Sequence, residues 1–358
     1  MLDFAKEAIE NAKQYGINFD DLKAGKANIK VFGVGGAGCN AVTWLFNKGI
    51  DGARVYALNT DALHLSVTKA DEKILLGKEL TRGLGCGGYP EKGALAAKES
   101  IAEIKKALQG ADMVWVVAGM GGGTGSGAAP IVAQAAKDMG AITIGVVTMP
   151  FETERARIDK AEFALQQLRE YTDTVIVIDN NRLVEVAGNL PIEQAFAVAN
   201  ELIATMIKGI VETITIPSLI NLDFADVSAI MRNGDVAIIG VGESDTQNRV
   251  EEAVRMALAH PLLDVDYKGA TGALIHVTCG EDLKLEELNN VGELVTQHLS
   301  PDANVIIGAR INKDFKGKVR VITIITGVKS PYILGKPQKQ TAETTTEFSE
   351  DLGIRVLK

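Results

Sequence analysis

Glycine is the residue whose spacing first suggests chemistry in this sequence. Three clusters stand out: GVGGAGCN at 33–40, GLGCGG at 83–88 and GMGGGTGSG at 119–127. Each glycine carries extra chain entropy that folding must remove, so five within the seven residues 121–127 are too many for a simple turn. Something must approach that backbone closely. The first and third clusters each follow a Val-rich run and open a helical pattern, so amide N–H groups at a helix start can hold a phosphate without any lysine. Thr124 and Ser126 add hydroxyls able to donate to phosphate oxygens. No GK[ST] follows, which excludes the P-loop. Gly33, Gly35 and Gly38 satisfy GxGxxG spacing, but a dinucleotide fold needs an acid closing the second strand, where this chain has Asn59-Thr60-Asp61. Three such loops around one point would surround a triphosphate with backbone amides.

Other reactive side chains are sparse. Asp223 and Asp226, in INLDFADVSAIM, sit at a predicted helix start, where Asp223 would cap the helix and Asp226 would favour its dipole. Four scattered histidines (His64, His260, His276, His298) lack metal spacing and read as structural or exposed. The three cysteines are odd in number and far apart, which argues against a disulfide framework or zinc site and for a reducing cytosol.

The elements that must position the glycine loops alternate in type. From Ala27 to about Thr213, runs at 29–33, 54–59, 112–118, 141–148 and 174–179 have near-continuous Val and Ile content, as parallel strands buried on both faces do. Ligands bind at the C-terminal ends of such strands. A long helical pattern over 191–213 follows, with Pro191 in its first turn and Asn189 as the expected cap. Its apolar stripe is broader than one face, which predicts burial between two layers. Strands at 235–241, 272–279, 303–310 and 318–327, with helices at 246–259 and 284–299, predict a smaller mixed sheet whose last two strands face each other across a short turn. From Ser330 onward the sequence turns to Thr, Glu, Lys and Gln, as in a disordered linker, and ends in EDLGIRVLK.

The expected fold class is thus α/β: a Rossmann-like parallel-sheet domain, a long central helix and a smaller α+β mixed-sheet domain. The division is 1–26 N-terminal helical extension, 27–190 nucleotide domain, 191–215 connecting helix, 216–330 C-terminal domain and 331–358 tail. The 358 residues carry 46 acidic and 37 basic side chains, a net charge of -9, which argues against nucleic acid or anionic lipid as partners. The N-terminus lacks the basic start and apolar core of a signal peptide, and no direct membrane insertion is expected.

The string GGGTGSG at 121–127 resembles the signature of the tubulin and FtsZ superfamily. GVGGAGCNAV, LNTDA, GLGCGGYPE, VTMPF, NLDFADV and KGATGALIH then follow in FtsZ order and spacing over nearly the whole chain. The similarity points to the second of the two archaeal paralogue groups. It implies a filament-forming GTPase of the division ring, with GTP, GDP and Mg²⁺ as ligands. Gly35, Gly36, Ala37 and Asn40 would lie against the nucleotide, Gly87 would join from the middle loop, and Gly121, Gly122, Gly123, Thr124 and Gly125 would form the phosphate cradle. Asn59 and Asp61 resemble the loop near phosphates and Mg²⁺, Asp61 acting through water. Glu154 and Arg157 resemble the pair beside ribose and base; Asn180 and Asn200 would read guanine, since an amide offers both donor and acceptor.

The resemblance also reweights Asp223 and Asp226, which with Asn221 would enter the nucleotide site of the next subunit and direct the attacking water. Hydrolysis would then need a head-to-tail filament, the product of a heterologous interface that does not close. Implied partners are further copies of the chain, a paralogous FtsZ, and a membrane anchor that takes the peptide 350–358 at the mid-cell ring. The chain departs from the family pattern where Ala37 and Cys39 interrupt the first loop, where Tyr89 replaces a frequent asparagine, and in a short PFETERAR loop. A GTP-binding structural or regulatory filament subunit with little hydrolysis is the alternative. A nicotinamide-dependent oxidoreductase is disfavoured by the glycine cluster at 119–127 and by the lack of a substrate-domain histidine or tyrosine-lysine constellation.

Overall fold

The computed structural model describes residues 27–328 apart from 217, 221, 233–234, 260–266, 268 and 298. The expected N-terminal extension 1–26, Asn221, the tail 331–358 and its peptide 350–358 therefore lie outside the described residues.

The chain begins with β1 (Ile29–Val34), α1 (Gly35–Lys48), β2 (Ala53–Asn59), α2 (Ala62–Val67), β3 (Glu72–Leu75), α3 (Lys78–Thr81), α4 (Pro90–Glu99) and α5 (Ile101–Leu108). It continues through β4 (Met113–Gly119), α6 (Gly123–Asp138), β5 (Ile142–Met149), α7 (Ala156–Tyr171), β6 (Thr174–Asp179), α8 (Asn180–Ala187) and α9 (Ile192–Thr215). The remainder is α10 (Phe224–Met231), β7 (Asp235–Ser244), α11 (Arg249–Leu258), β8 (Ala270–Cys279), α12 (Leu285–Thr296), β9 (Leu299–Ile311) and β10 (Val319–Thr326).

The strands form one sheet in the order β3-β2-β1-β4-β5-β6-β7-β10-β8-β9. From β3 to β6 every pairing is parallel, and these strands are the core: all six residues of β1 are buried, as are the first six of β4. Phe32 of β1 lies opposite Tyr56 of β2, and their rings stack at 4.6 Å. The chain leaves β1 toward β2 and β3, then returns to β4 on the other side of β1. The order therefore reverses between β1 and β4, and the connections leaving their C-terminal ends diverge into α1 and α6. That reversal opens the crevice in which open α/β sheets bind ligands. The two largest glycine clusters occupy its two walls.

Three expectations change. The edge strand β3 was not foreseen, because EKIL has only four residues and two are charged. Asn189 does not cap the long helix; Pro191 does so by backbone conformation (φ -52°, ψ 144°), while Leu190 N–H donates to Ala187 O and closes α8. The last two strands also do not form a hairpin. β9 runs parallel to β8, the 3₁₀ turn Lys313–Phe315 carries the chain across β8, and β10 pairs antiparallel with β8 and β7. The mixed sheet is joined to the parallel one through two β6–β7 pairs, Thr174 with Asp235 and Val175 with Val236.

The central helix α9 is long and apolar enough to cross a membrane by length and composition. Here it packs along α1 and against β7, burying Ala199, Ile203, Met206, Ile207 and Ile210. It is the element common to both halves of the sheet.

Candidate functional site

The helices that start beside the reversal differ from their neighbours at one point. α2, α8 and α10 are capped by Asp61, Asp179 and Asp223, whose carboxylates accept backbone N–H bonds. Neither α1 nor α6 has a side-chain cap or an acid in its first turn. Their unpaired N–H groups and positive dipole ends favour an anion.

Both helix starts border a cavity of about 690 Å³. Gly36, Ala37 and Asn40 line it from α1, Gly122, Gly123 and Thr124 from the start of α6, and Gly87 from the middle cluster. Asn59 and Asp61 line it at the end of β2, with Arg157, Asn180 and Asn200 on the remaining side. The lining thus gathers most of the residues singled out in the sequence.

Gly35, Gly121, Gly125 and Glu154 stand behind that lining. Gly35 has φ +74°, and a Cβ added to it would lie 2.7 Å from Gly125 N; one added to Gly125 would lie 2.3 Å from Gly119 O. The two loops touch backbone to backbone, so side chains here would force the helix starts apart. Gly121, at φ +89°, leaves room for Arg157. Glu154 accepts from Arg157 Nη1 at 2.5 Å and from Phe151 N–H at 3.1 Å, so it braces the arginine that reaches the cavity.

Ser126 also differs from expectation. Its hydroxyl turns inward, is buried and accepts from Gly121 N–H at 2.8 Å, so it stiffens the cradle from behind. The Thr124 hydroxyl remains in the lining, 2.7 Å from that of buried Thr60. Below the first loop, Cys39 is fully buried, and burial pushes its thiol up to about 11. It is packing, with no thiolate to offer.

Of the lining residues not read as site residues in the sequence, two stand out by their side chains. His64 of α2 lies between Asn59 and Asn40, and Phe196 of α9 lies one helical turn before Asn200. The Phe196 ring meets Phe151 edge to face at 6.1 Å. Its spacing from Asn200, four residues on one helix, was the available signal. His64 had only its distance of three residues from Asp61, whose carboxylate accepts the His64 N–H at 3.0 Å.

For a divalent cation the donor set fits a shared site. Among the described residues no group of three His, Cys, Asp or Glu can hold a metal alone. Asp61 is the carboxylate in the lining, and Mg²⁺ characteristically takes one or two carboxylates together with waters and substrate phosphates.

Asp223 and Asp226 are not part of this cavity. They start α10, which packs against β8 and β5; Asp223 is exposed and Asp226 half-buried. Just ahead of them Ile220 exchanges both backbone hydrogen bonds with Ala309, at 3.0 and 3.1 Å, which anchors the loop to β9.

The comparisons agree with this geometry. Residues 28–188 match the model of the Tubulin/FtsZ family, GTPase domain, and residues 235–329 that of the FtsZ family, C-terminal domain. The chain is 57% identical over 318 residues to cell division protein FtsZ 2 of Methanocaldococcus jannaschii, covering 88% of this chain and 84% of that protein. It is 53% identical over 317 residues to cell division protein FtsZ 1 of Thermococcus kodakarensis, covering 88% and 85%. Among solved structures, an empty FtsZ dimer of M. jannaschii superimposes with TM-score 0.79 at 48% identity, covering 94% of this chain and 98% of that one. CetZ2 of Haloferax volcanii, at 22% identity and TM-score 0.73, shares the fold. Identity of this extent, running through both domains in the same order, places the chain in the tubulin/FtsZ family of GTPases.

Proposed function

We propose that this protein is the GTPase of a cell-division filament, binding GTP in the cavity between α1 and α6 and hydrolysing it where one subunit meets the next. The observation that carries the second half is the separation within one chain of the cavity from Asp223 and Asp226. The cavity holds what binding requires: two open helix N-termini for phosphates, Arg157 as a cation, and the Asn180 and Asn200 amides for a base edge. Among the described lining residues, the groups able to activate water are Asp61, whose Oδ1 already caps α2, and His64, whose two ring nitrogens are already paired with Asn59 and Asn40. Asp223 and Asp226 of a second copy would direct the attacking water. Mg²⁺ would neutralise charge on the β- and γ-phosphates, held by them and, through water, by Asp61.

Head-to-tail addition that completes each site with the next subunit's acids gives an open filament. The anchor contact at 350–358 and co-assembly with a paralogue at mid-cell belong to the same reading. A chain lacking 350–358 that still reaches the division ring, in cells without a full-length copy, contradicts the anchor assignment. The alternative of a filament subunit with little hydrolysis draws no support from the site, since both acids are retained.

Competition binding tests the nucleotide assignment. A cavity that recognises a base by hydrogen bonds rejects the wrong base, because its buried amides are left unpaired. GTP and GDP should displace a fluorescent guanine nucleotide far better than ATP or NAD. Equal displacement by ATP rules the assignment out.

A further inference from the structure

His64 is part of a chain of hydrogen bonds whose direction can be worked out link by link. Asp61 N–H donates to Asn59 Oδ1 at 3.3 Å, which fixes the orientation of the buried Asn59 amide. Asn59 Nδ2 then faces His64 Nδ1 at 3.0 Å. An amide nitrogen can only donate, so Nδ1 must be the unprotonated, accepting nitrogen of a neutral imidazole. Its proton therefore resides on Nε2, which lies 3.1 Å from Asn40 Oδ1 and donates to it. With Oδ1 turned toward His64, Asn40 presents its amide N–H groups on the other side for a ligand.

Asn40 and His64 both line the cavity between the two open helix starts. Asn40 rides on α1, a turn beyond the first glycine loop, while Asn59 closes β2 and His64 sits on α2. The relay therefore ties three separate elements to one another at the rim of the cavity. Asn40 is otherwise free to rotate: its side chain is exposed, and among the described residues the bond to His64 is the one side-chain hydrogen bond it makes. An exposed asparagine that must select one of two amide orientations loses affinity in proportion to the time spent in the wrong one.

We propose that His64 is a positioning residue of the nucleotide site: by donating from Nε2 to Asn40 Oδ1, it presents the Asn40 amide N–H groups to an acceptor atom of the bound nucleotide. This rests on the reading of the cavity as the nucleotide site. His64 itself touches neither phosphate nor base in this account; it acts through Asn40. A glutamine could replace it, because its carbonyl oxygen and amide nitrogen accept and donate side by side much as the two ring nitrogens do. A leucine of similar size could not.

The experiment uses the full chain with selectively ¹⁵N-labelled histidine, and GDP as the probe. The His64 imidazole should show a protonated Nε2 and an unprotonated Nδ1 at neutral pH; the opposite tautomer overturns the relay whether or not any variant folds. In titrations, His64→Leu should weaken GDP binding by about 10-fold, the worth of one well-made hydrogen bond. His64→Gln should stay within about 2-fold of the unmodified chain, since it restores both links. Asn40→Ala should weaken binding about as much as His64→Leu, and the double variant His64→Leu/Asn40→Ala no further, because both changes remove one contact. GDP affinity unchanged in His64→Leu, or losses that multiply in the double variant, overturns the proposal. If the unmodified chain does not bind GDP at all, the reading of the cavity fails and the role of His64 in it fails too. Failure of the relay alone leaves that first titration intact.

Discussion

Asp223 and Asp226 cap each other. The Asp223 carboxylate accepts from Asp226 N–H at 2.8 Å, and the Asp226 carboxylate accepts from Asp223 N–H at 3.1 Å. The reciprocal box satisfies two donors at the start of α10 and holds both acids in one orientation at the surface. Capping and catalysis are thus compatible uses of the same pair: the cap fixes where the carboxylates point, and each retains a second oxygen for another partner.

That double role separates two substitutions. Asp226→Asn keeps an oxygen able to accept from Asp223 N–H, so it should leave stability unchanged while removing most GTP turnover. Asp226→Ala should lose the same turnover and also cost about 1 kcal/mol of stability, as loss of a cap does. Both should still bind GTP and assemble. Full turnover in Asp226→Asn, measured by phosphate release beside a urea titration, would show that the pair is only a cap.

The glycines divide in the same way. Nothing lies within 4 Å of a Cβ added to Gly36, which faces the cavity, whereas one added to Gly125 meets Gly119 O at 2.3 Å. Gly36→Ala should therefore keep its melting temperature and lose nucleotide affinity. Gly125→Ala should lose about 1–3 kcal/mol of stability through overpacking. A Gly125→Ala protein as stable as the parent would mean that Gly125 does not pack against the Gly119 carbonyl at the end of β4.

Acid sensitivity should trace to His276. Its ring is 3% exposed at the cleft between α9 and the mixed sheet, with neither nitrogen hydrogen-bonded among the described residues. Burial, and then the Arg310 guanidinium, lower its pKa to about 4. An unfolded histidine titrates near ~6.5, so between the two values the unfolded chain binds the extra proton and stability rises with pH. Going from pH 7 to pH 5 should cost about 2 kcal/mol through this group. His276→Leu should remove that part of the slope; an unchanged slope in urea unfolding at the two pH values would assign it elsewhere.

Much of the fold could be read because parallel strands buried on both faces leave short, largely apolar runs; β1, β2, β4, β5 and β6 each carry one, with Lys30 in β1 and Arg54 in β2 as the basic exceptions. The strand β3 could not, being short, charged and held by a single neighbour. The order β10 beside β8 was equally hidden. Sequence proximity favours a β9–β10 hairpin, and only the parallel β8–β9 pairing leaves the other edge of β8 for β10. At the site, the glycines were legible because their entropic cost demands a reason. Which ones face the ligand was not, since Gly35, Gly125 and Ser126 differ from Gly36 and Thr124 only in what surrounds them after folding. His64 was missed for the same reason: its partners Asn40 and Asn59 come from two other elements.

The central claim is that one chain binds GTP and two chains hydrolyse it. The direct test is GTP turnover per subunit measured over a wide range of protein concentration, with Asp226→Asn as the control. The account predicts almost no phosphate release at concentrations where the chain is monomeric, a steep rise as filaments form, and a plateau once nearly every cavity is closed by a neighbour. A turnover per subunit that stays constant from the lowest concentration to the highest would contradict it, because the active site would then be complete within a single chain.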